Sequence, residues 1–374
     1  MRDRHCLSLP APYPSVDPVG DLVQSCLRMH PLDLTAVPST DPLQLYRWRD
    51  ALYSTDLLAA SLVWLDLFSI LNQTPMDLPT LCQRLETHSR PTDVMMTLLK
   101  AMALVEEREG GFHLTPLARE HFVKDSPWFL GPYYASMKDR PVTLDYVKVL
   151  RTGKPANWAS LGDQKAWAQA MEEDGFARQF TAAMDCRGVY LGQALAKVVP
   201  LSGQRRVLDV AGGSGIYACC LAAANESLHA VVLEKPPVDR IARQRIEERG
   251  LSSRVGVVSG DMFQDAWPEG ADVHLISNVL HDWDVPQVQE LLRRSWQALL
   301  PGGLLLIHDV HLNAEKNGPL PAAQYSALLM SITEGKCYSV GEMSQLLTDQ
   351  GFDVPAFYAT AADRSVLVSR KSAH

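Results

Sequence analysis

The chain has 374 residues, 47% of them hydrophobic, and a formal net charge of −8 at pH 7. That length predicts about two or three domains, and the acidic balance argues against nucleic acid as the main partner. Scattered cysteines without C-x-x-C spacing, no apolar run near the ~18 residues of a membrane span and no signal-peptide core predict a reduced, cytoplasmic protein with no membrane partner.

Residues 1–41 are proline-rich, with Pro10, Pro12, Pro14 and Pro18, and read as an extension, loosely ordered or draped over a partner. From 42 to 125 the pattern is helical and apolar. Leu57, Leu58, Leu62, Leu65 and Phe68 suit one face of a single long helix. Helices at Leu78–Leu85 and Val94–Leu104, the second entered through Pro91, precede a hairpin over Glu106–Leu114 with Gly110-Gly111 at its centre. Helices followed by a hairpin predict a winged helix. Arg84, Arg90, Arg108 and Arg119 are balanced by Glu86, Glu106, Glu107, Glu109 and Glu120, so no basic face is offered to a phosphate backbone. Residues 126–200 are helical and rich in large side chains, among them Tyr134, Met137, Phe176, Phe180 and Met184.

From 201 to 374 strands alternate with helical stretches, which predicts a parallel doubly wound sheet closed by an antiparallel pair near 354–360 and 365–369. Val207 to Val210 read as a buried strand. Gly212, Gly213 and Gly215 then let the turn run close to a ligand, since glycine has no Cβ and tolerates positive φ. Glu234 closes a second strand about 20 residues later, where an acid can hold ribose hydroxyls. Gly213-Ser-Gly215-Ile-Tyr-Ala218 also fits a dinucleotide fingerprint. Asp209, two residues before the turn, would repel a pyrophosphate but attract a sulfonium or an amino group. Gly260-Asp261-Met262-Phe263 follows a third strand and offers a carboxylate for an adenine amino group and apolar surface for its ring. His281-Asp282-Trp283 follows a fourth strand.

At these residues the chain resembles the class I small-molecule O-methyltransferases of the caffeic acid and acetylserotonin type. The family's D-V-G-G-G-x-G is met by Asp209 to Gly215 with Ala211 in place of a glycine, its D-L-P by Glu234-Lys235-Pro236, its G-D-M-F by Gly260 to Phe263 and its L-H-D-W by Leu280 to Trp283. The resemblance implies a seven-stranded sheet that binds S-adenosylmethionine, an N-terminal domain that dimerises, and a small hydroxylated acceptor. It assigns His281 as general base and Asp309, where the family has glutamate, as the acid that orients it. It places Ser277 at a family lysine that contacts the cofactor, and Phe180, Met184, Asp282 and Trp283 along the acceptor wall. Cys337 stands where the family carries a second glutamate, with Glu334 three residues away.

A histidine near pKa 6.5 facing a phenol near 10 is uphill by roughly 5 kcal/mol at 1.36 per unit. An aliphatic hydroxyl would cost far more, so a histidine base favours a phenol, an enol or a similarly acidic hydroxyl. His308, Asp309 and His311 offer too few ligands on one face for a metal, and no metal is expected. Two other readings are a family member that binds the cofactor without methylating, and a nicotinamide oxidoreductase.

Overall fold

The computed structural model describes residues 33–156, 167–199 and 201–372. Most of the expected N-terminal extension, and residues 157–166 and 200 of the expected linker, lie outside the described residues.

The expected hairpin forms from β1 (Val105–Arg108) and β2 (Gly111–Leu114). Its turn centres on Glu109 and Gly110, both with positive φ, one residue earlier than the glycine pair suggests. That is the mirror-image turn whose twist suits a hairpin. The main sheet holds β3 (Arg206–Val210), β4 (His229–Glu234), β5 (Val255–Ser259), β6 (Val273–Ser277), β7 (Leu304–Asp309), β8 (Ala356–Ala359) and β9 (Ser365–Arg370). Their order is β5-β4-β3-β6-β7-β9-β8. The first five pair in parallel, and β9 runs antiparallel to both β7 and β8. Every residue of β6 and β7 is buried, as expected of strands covered by helices on both faces. The order reverses at β3, which pairs with β4 on one side and β6 on the other. The crevice outside the carboxyl ends at such a switch point is where α/β sheets bind ligands.

The single long helix expected from Leu57 onward is broken. Helix Ser54–Ala59 runs into a π turn at Ala60–Trp64, and a new helix, Leu67–Gln73, starts after Asp66 at φ 51°. The expected apolar face is nevertheless buried throughout, at Leu57, Leu58, Leu62, Leu65 and Phe68. Periodicity reports which residues face the core; it is blind to one residue of left-handed backbone between them. Helix Leu78–Leu85 forms as expected, capped by the Asp77 carboxylate on the Thr80 N–H. The next helix spans Ser89–Ala101 with Pro91 in its first turn. It ends short of Leu104 because Ala103 is left-handed.

Helix Leu320–Ile332 comes late in the chain but packs with the N-terminal helices. Ala323, Ala327 and Met330 share a core with Phe68, Met95 and Tyr146, and the Tyr146 hydroxyl donates to the Ala327 carbonyl at 2.8 Å. A half-buried ion cluster ties the same layers together: Lys336 reaches Asp93 at 2.8 Å and Glu342 at 2.6 Å, and Lys316 joins both acids. Among the described residues no single helix is long and apolar enough to cross a membrane.

Candidate active site

A cavity of about 650 Å³ opens at the carboxyl ends of β3, β4 and β6, within the roughly 300–1,000 Å³ of small-molecule sites. Its floor is the turn after β3. Ala211, at φ 53°, takes the left-handed conformation that glycine fills more readily. A side chain at Gly212 would put its Cβ 2.5 Å from Asp209 Oδ2, so only glycine passes over that carboxylate. Gly213 donates its N–H to Glu234 Oε2 at 2.9 Å, and Lys235 donates to the other oxygen. Gly215 does not reach the cavity; a Cβ there would crowd Ile246 and Val232, so it lets the following helix seat on the sheet. Asp209 also lies beneath the lining. It is fully buried, neither of its oxygens has a hydrogen-bond partner, and burial pushes its pKa up to about 7. Burial likewise raises Glu234 to about 7.

Gly260, Asp261, Met262 and Phe263 form the adjoining wall. Asp261 Oδ1 accepts from the Phe263 N–H at 2.7 Å, which fixes the turn. The Phe263 ring meets Trp283 edge-on at 4.7 Å. Ser277 ends β6 at the cavity, and Asn278 follows it. The Ser277 hydroxyl is engaged by His308 at 2.9 Å, and Asn278 donates to the Tyr217 hydroxyl at 3.0 Å while its own Oδ1 is unpartnered.

Opposite stands His281, in a short 3-10 turn after β6. Its Nδ1 lies 2.6 Å from Asp309 Oδ1 at the end of β7. That contact sets the tautomer: Nδ1 carries the proton and Nε2 is left with a lone pair. Asp309 Oδ1 also accepts the Val310 N–H at 2.8 Å, and its pKa is lowered because the His281 charge and hydrogen bond outweigh burial. Asp282 Oδ1 lies 3.6 Å from Nε2, beyond hydrogen-bond reach; burial raises it to about 6. His281 itself is raised, because Asp309 and Asp282 outweigh a burial that opposes its charge.

The turn that carries His281 is braced by residues 333–338. The Thr333 hydroxyl reaches the His281 carbonyl, Tyr338 donates to the Trp283 carbonyl at 2.8 Å, and Gly335 packs directly on the turn's backbone. Arg90, from the N-terminal layer, holds the Gly335 carbonyl at 2.9 Å.

The description "O-methyltransferase domain" belongs to the family model that matches residues 146–353, more than half of the chain. The chain belongs to this O-methyltransferase family. It is an S-adenosylmethionine-dependent methyltransferase, and S-adenosylmethionine is its cofactor. The 3-hydroxy-5-methyl-1-naphthoate 3-O-methyltransferase of Streptomyces sahachiroi is 30% identical over 302 residues, 80% of this chain and 86% of that protein. The aclacinomycin 10-hydroxylase of Streptomyces purpurascens is 31% identical over 236 residues, 61% of this chain and 62% of that one. A crystal structure of an O-methyltransferase family 2 protein from Planctomyces limnophilus, in complex with apigenin, matches with a TM-score of 0.82 and 34% identity, covering 92% of this chain and all of that one.

In this methyltransferase the structure brings most of the expected site residues to one cavity. Gly212, Gly213, Glu234, Gly260 to Phe263, Ser277, Phe180, Met184, His281, Asp282 and Trp283 line it, with Asp309 directly behind His281. Cys337 does not. Its side chain is fully buried in the helical core, its N–H donates to the Ser326 hydroxyl at 3.0 Å, and burial pushes its thiol well above the ordinary range. Glu334 does not replace the second acid either; it points outward to Lys154 at 2.8 Å. Tyr46, Arg187 and Tyr325 also line the cavity and were not legible in the sequence. They come from three distant helices, and no local pattern joins them. Among the described residues no three His, Cys, Asp or Glu side chains are grouped to hold a metal ion; His308 and His311 bond instead to Ser277, Thr360 and Ser365.

Proposed function

We propose that this methyltransferase moves a methyl group to the hydroxyl of a small aromatic acceptor, with His281 as general base and Asp309 as the residue that orients it. The observation that carries this reading is the 2.6 Å contact between His281 and Asp309 on the wall facing the glycine turn and Glu234. S-adenosylmethionine supplies an electrophilic methyl on a sulfonium, already a good leaving group. The protein's task is to hold the acceptor oxygen in line and take its proton. Nε2 of His281 accepts that proton, and the Asp309 carboxylate stabilises the imidazolium that forms. Phe180, Met184 and Trp283 supply apolar surface for a flat acceptor. A relative that methylates a hydroxynaphthoate and a solved relative in complex with apigenin support an aromatic substrate.

The donor fits the residues present. The unpartnered Asp209 carboxylate beneath Gly212 gives the turn a negative field suited to a cation. Glu234 would take the ribose hydroxyls, Asp261 the adenine amino group, and Met262 with Phe263 the ring. Glu234→Ala removes a charged hydrogen-bond partner worth about 1.5–3 kcal/mol, so S-adenosylmethionine affinity measured by calorimetry should fall roughly ten- to a hundredfold. Unchanged affinity would overturn the assignment. Mass spectrometry across a phenol panel separates methylation, a gain of one CH₂, from the gain of an oxygen atom that a hydroxylase would give.

The reading divides the chain into an extension (1–41), a dimerisation domain (42–125), a helical segment lining the acceptor side (126–200) and the donor-binding domain (201–374). Dimerisation is supported by exposed apolar side chains around helix Leu43–Asp50, namely Leu45, Trp48 at 70% exposure and Leu52, with Leu45 also lining the cavity. Light scattering at micromolar concentration should show a dimer, and Trp48→Glu should shift it toward monomer with loss of turnover. A wild-type monomer would sink this part.

A further inference from the structure

Arg187 is one of the cations that line the cavity, and the chemistry above does not use it. Arg187 sits on helix Asp174–Val198 and lines the cavity. Its Nη1 donates to the Tyr325 hydroxyl at 3.1 Å, its Nε has no partner, and no carboxylate among the described residues forms an ion pair with it. A guanidinium stays charged at any working pH.

Two charge pairs beside it are already closed. Arg364 faces Asp50 at 2.9 Å. Asp309 is taken by His281, and Asp282 lies nearest to the other nitrogen of that ring. Arg187 is held in place rather than loose: the Tyr46 hydroxyl donates to its carbonyl at 3.2 Å, which docks helix Leu43–Asp50 over it. It also stands close to the base. Tyr325, which accepts from Arg187, meets the His281 imidazole edge-on with centroids 5.8 Å apart. One tyrosine ring therefore separates the guanidinium from the proposed proton acceptor. The exposed Arg49, on the helix that covers the site, lines the same cavity and has no acidic partner among the described residues.

Resting on the methyltransferase reading, we propose that Arg187 anchors the carboxylate of a ligand in this cavity. A planar guanidinium that lines the cavity can meet a carboxylate in a two-point contact. Two ligands could bring that group: the donor, through its amino-acid end, or an acceptor that is an aromatic acid with its hydroxyl at His281.

Calorimetry on wild type and Arg187→Gln separates them with two probe pairs. The first is S-adenosylhomocysteine against methylthioadenosine, which keeps the nucleoside thioether and lacks the carboxylate. The second, with S-adenosylhomocysteine bound, is hydroxybenzoate against hydroxybenzamide. Loss of a charge-assisted contact should weaken the acid of one pair by roughly ten- to a hundredfold and leave its uncharged counterpart nearly unchanged. A loss on the first pair assigns the carboxylate to the donor, and a loss on the second to the acceptor. Arg187→Lys should keep part of the preference. If acid and non-acid fall together in both pairs, or neither falls, the proposal is wrong. Should Arg187→Gln not fold, the wild type decides alone: no preference for the acid in either pair overturns it. Binding of methylthioadenosine by the wild type tests the donor assignment separately, because that probe carries no carboxylate.

Discussion

His281→Ala should lower turnover by about 10² to 10⁴ and leave S-adenosylmethionine affinity almost unchanged, because the imidazole faces the acceptor side of the cavity. Asp309→Asn should cost less, since the ring remains but loses its orienting charge. The pH profile carries the sharper test. His281 is raised above its ordinary 6.5 by Asp309 and Asp282, and it acts as a base only when neutral. Turnover should therefore climb with pH through that raised value. Removing the Asp309 charge lowers the histidine's pKa, so the rising limb should move to lower pH even as the maximum falls. A limb that stays in place in Asp309→Asn, or moves upward, would separate Asp309 from the base.

Gly335→Ala should damage the site from behind. A Cβ at Gly335 would lie 2.6 Å from the Trp283 nitrogen and closer still to the His281 carbonyl. Both are backbone, so no side chain can swing aside. Overpacking of this kind costs about 1–3 kcal/mol or more, and thermal unfolding should show it as a clear drop in Tm. The turn that carries His281 must shift. Misplacing a reacting group by about 1 Å can cost 10²-fold in rate, so turnover should fall well beyond what lost folded protein explains. Gly110→Ala, in the β1–β2 hairpin turn with open space around its Cβ position, is the control: strained locally but without effect on turnover per folded molecule. Equal turnover in Gly335→Ala and wild type would show that the brace is not needed.

The sheet side of the cavity was legible because it is local. Apolar runs mark β3, β4 and β6, and the chemistry sits within a few residues of each strand's carboxyl end, at Asp209, Glu234 and His281. The helical side is built differently. Tyr46, Arg187 and Tyr325 are separated by more than a hundred residues each, and only packing brings them together. The same limit explains Cys337. Alignment with a family pattern placed it at a catalytic position, whereas the loop turns its thiol into the helical core and presents Gly335 to the active turn instead. The break at Asp66 was hidden for another reason: a single left-handed residue leaves the spacing of buried leucines almost intact.

Asp209 links the folding equilibrium to ligand occupancy. A carboxylate buried without a hydrogen-bond partner is harder to ionise in the folded chain than in the unfolded one; here the shift runs from 3.8 to about 7. The sign follows: stability from this group is intact below 3.8 and drains away as pH rises toward 7, by on the order of 4 kcal/mol at 1.36 per unit. At neutral pH the empty fold therefore carries a penalty that a cation seated above Gly212 would remove. On that reading the glycine turn acts as a reservoir of free energy. The chain forgoes part of its own resistance to unfolding, and a positively charged ligand seated over the turn would return it.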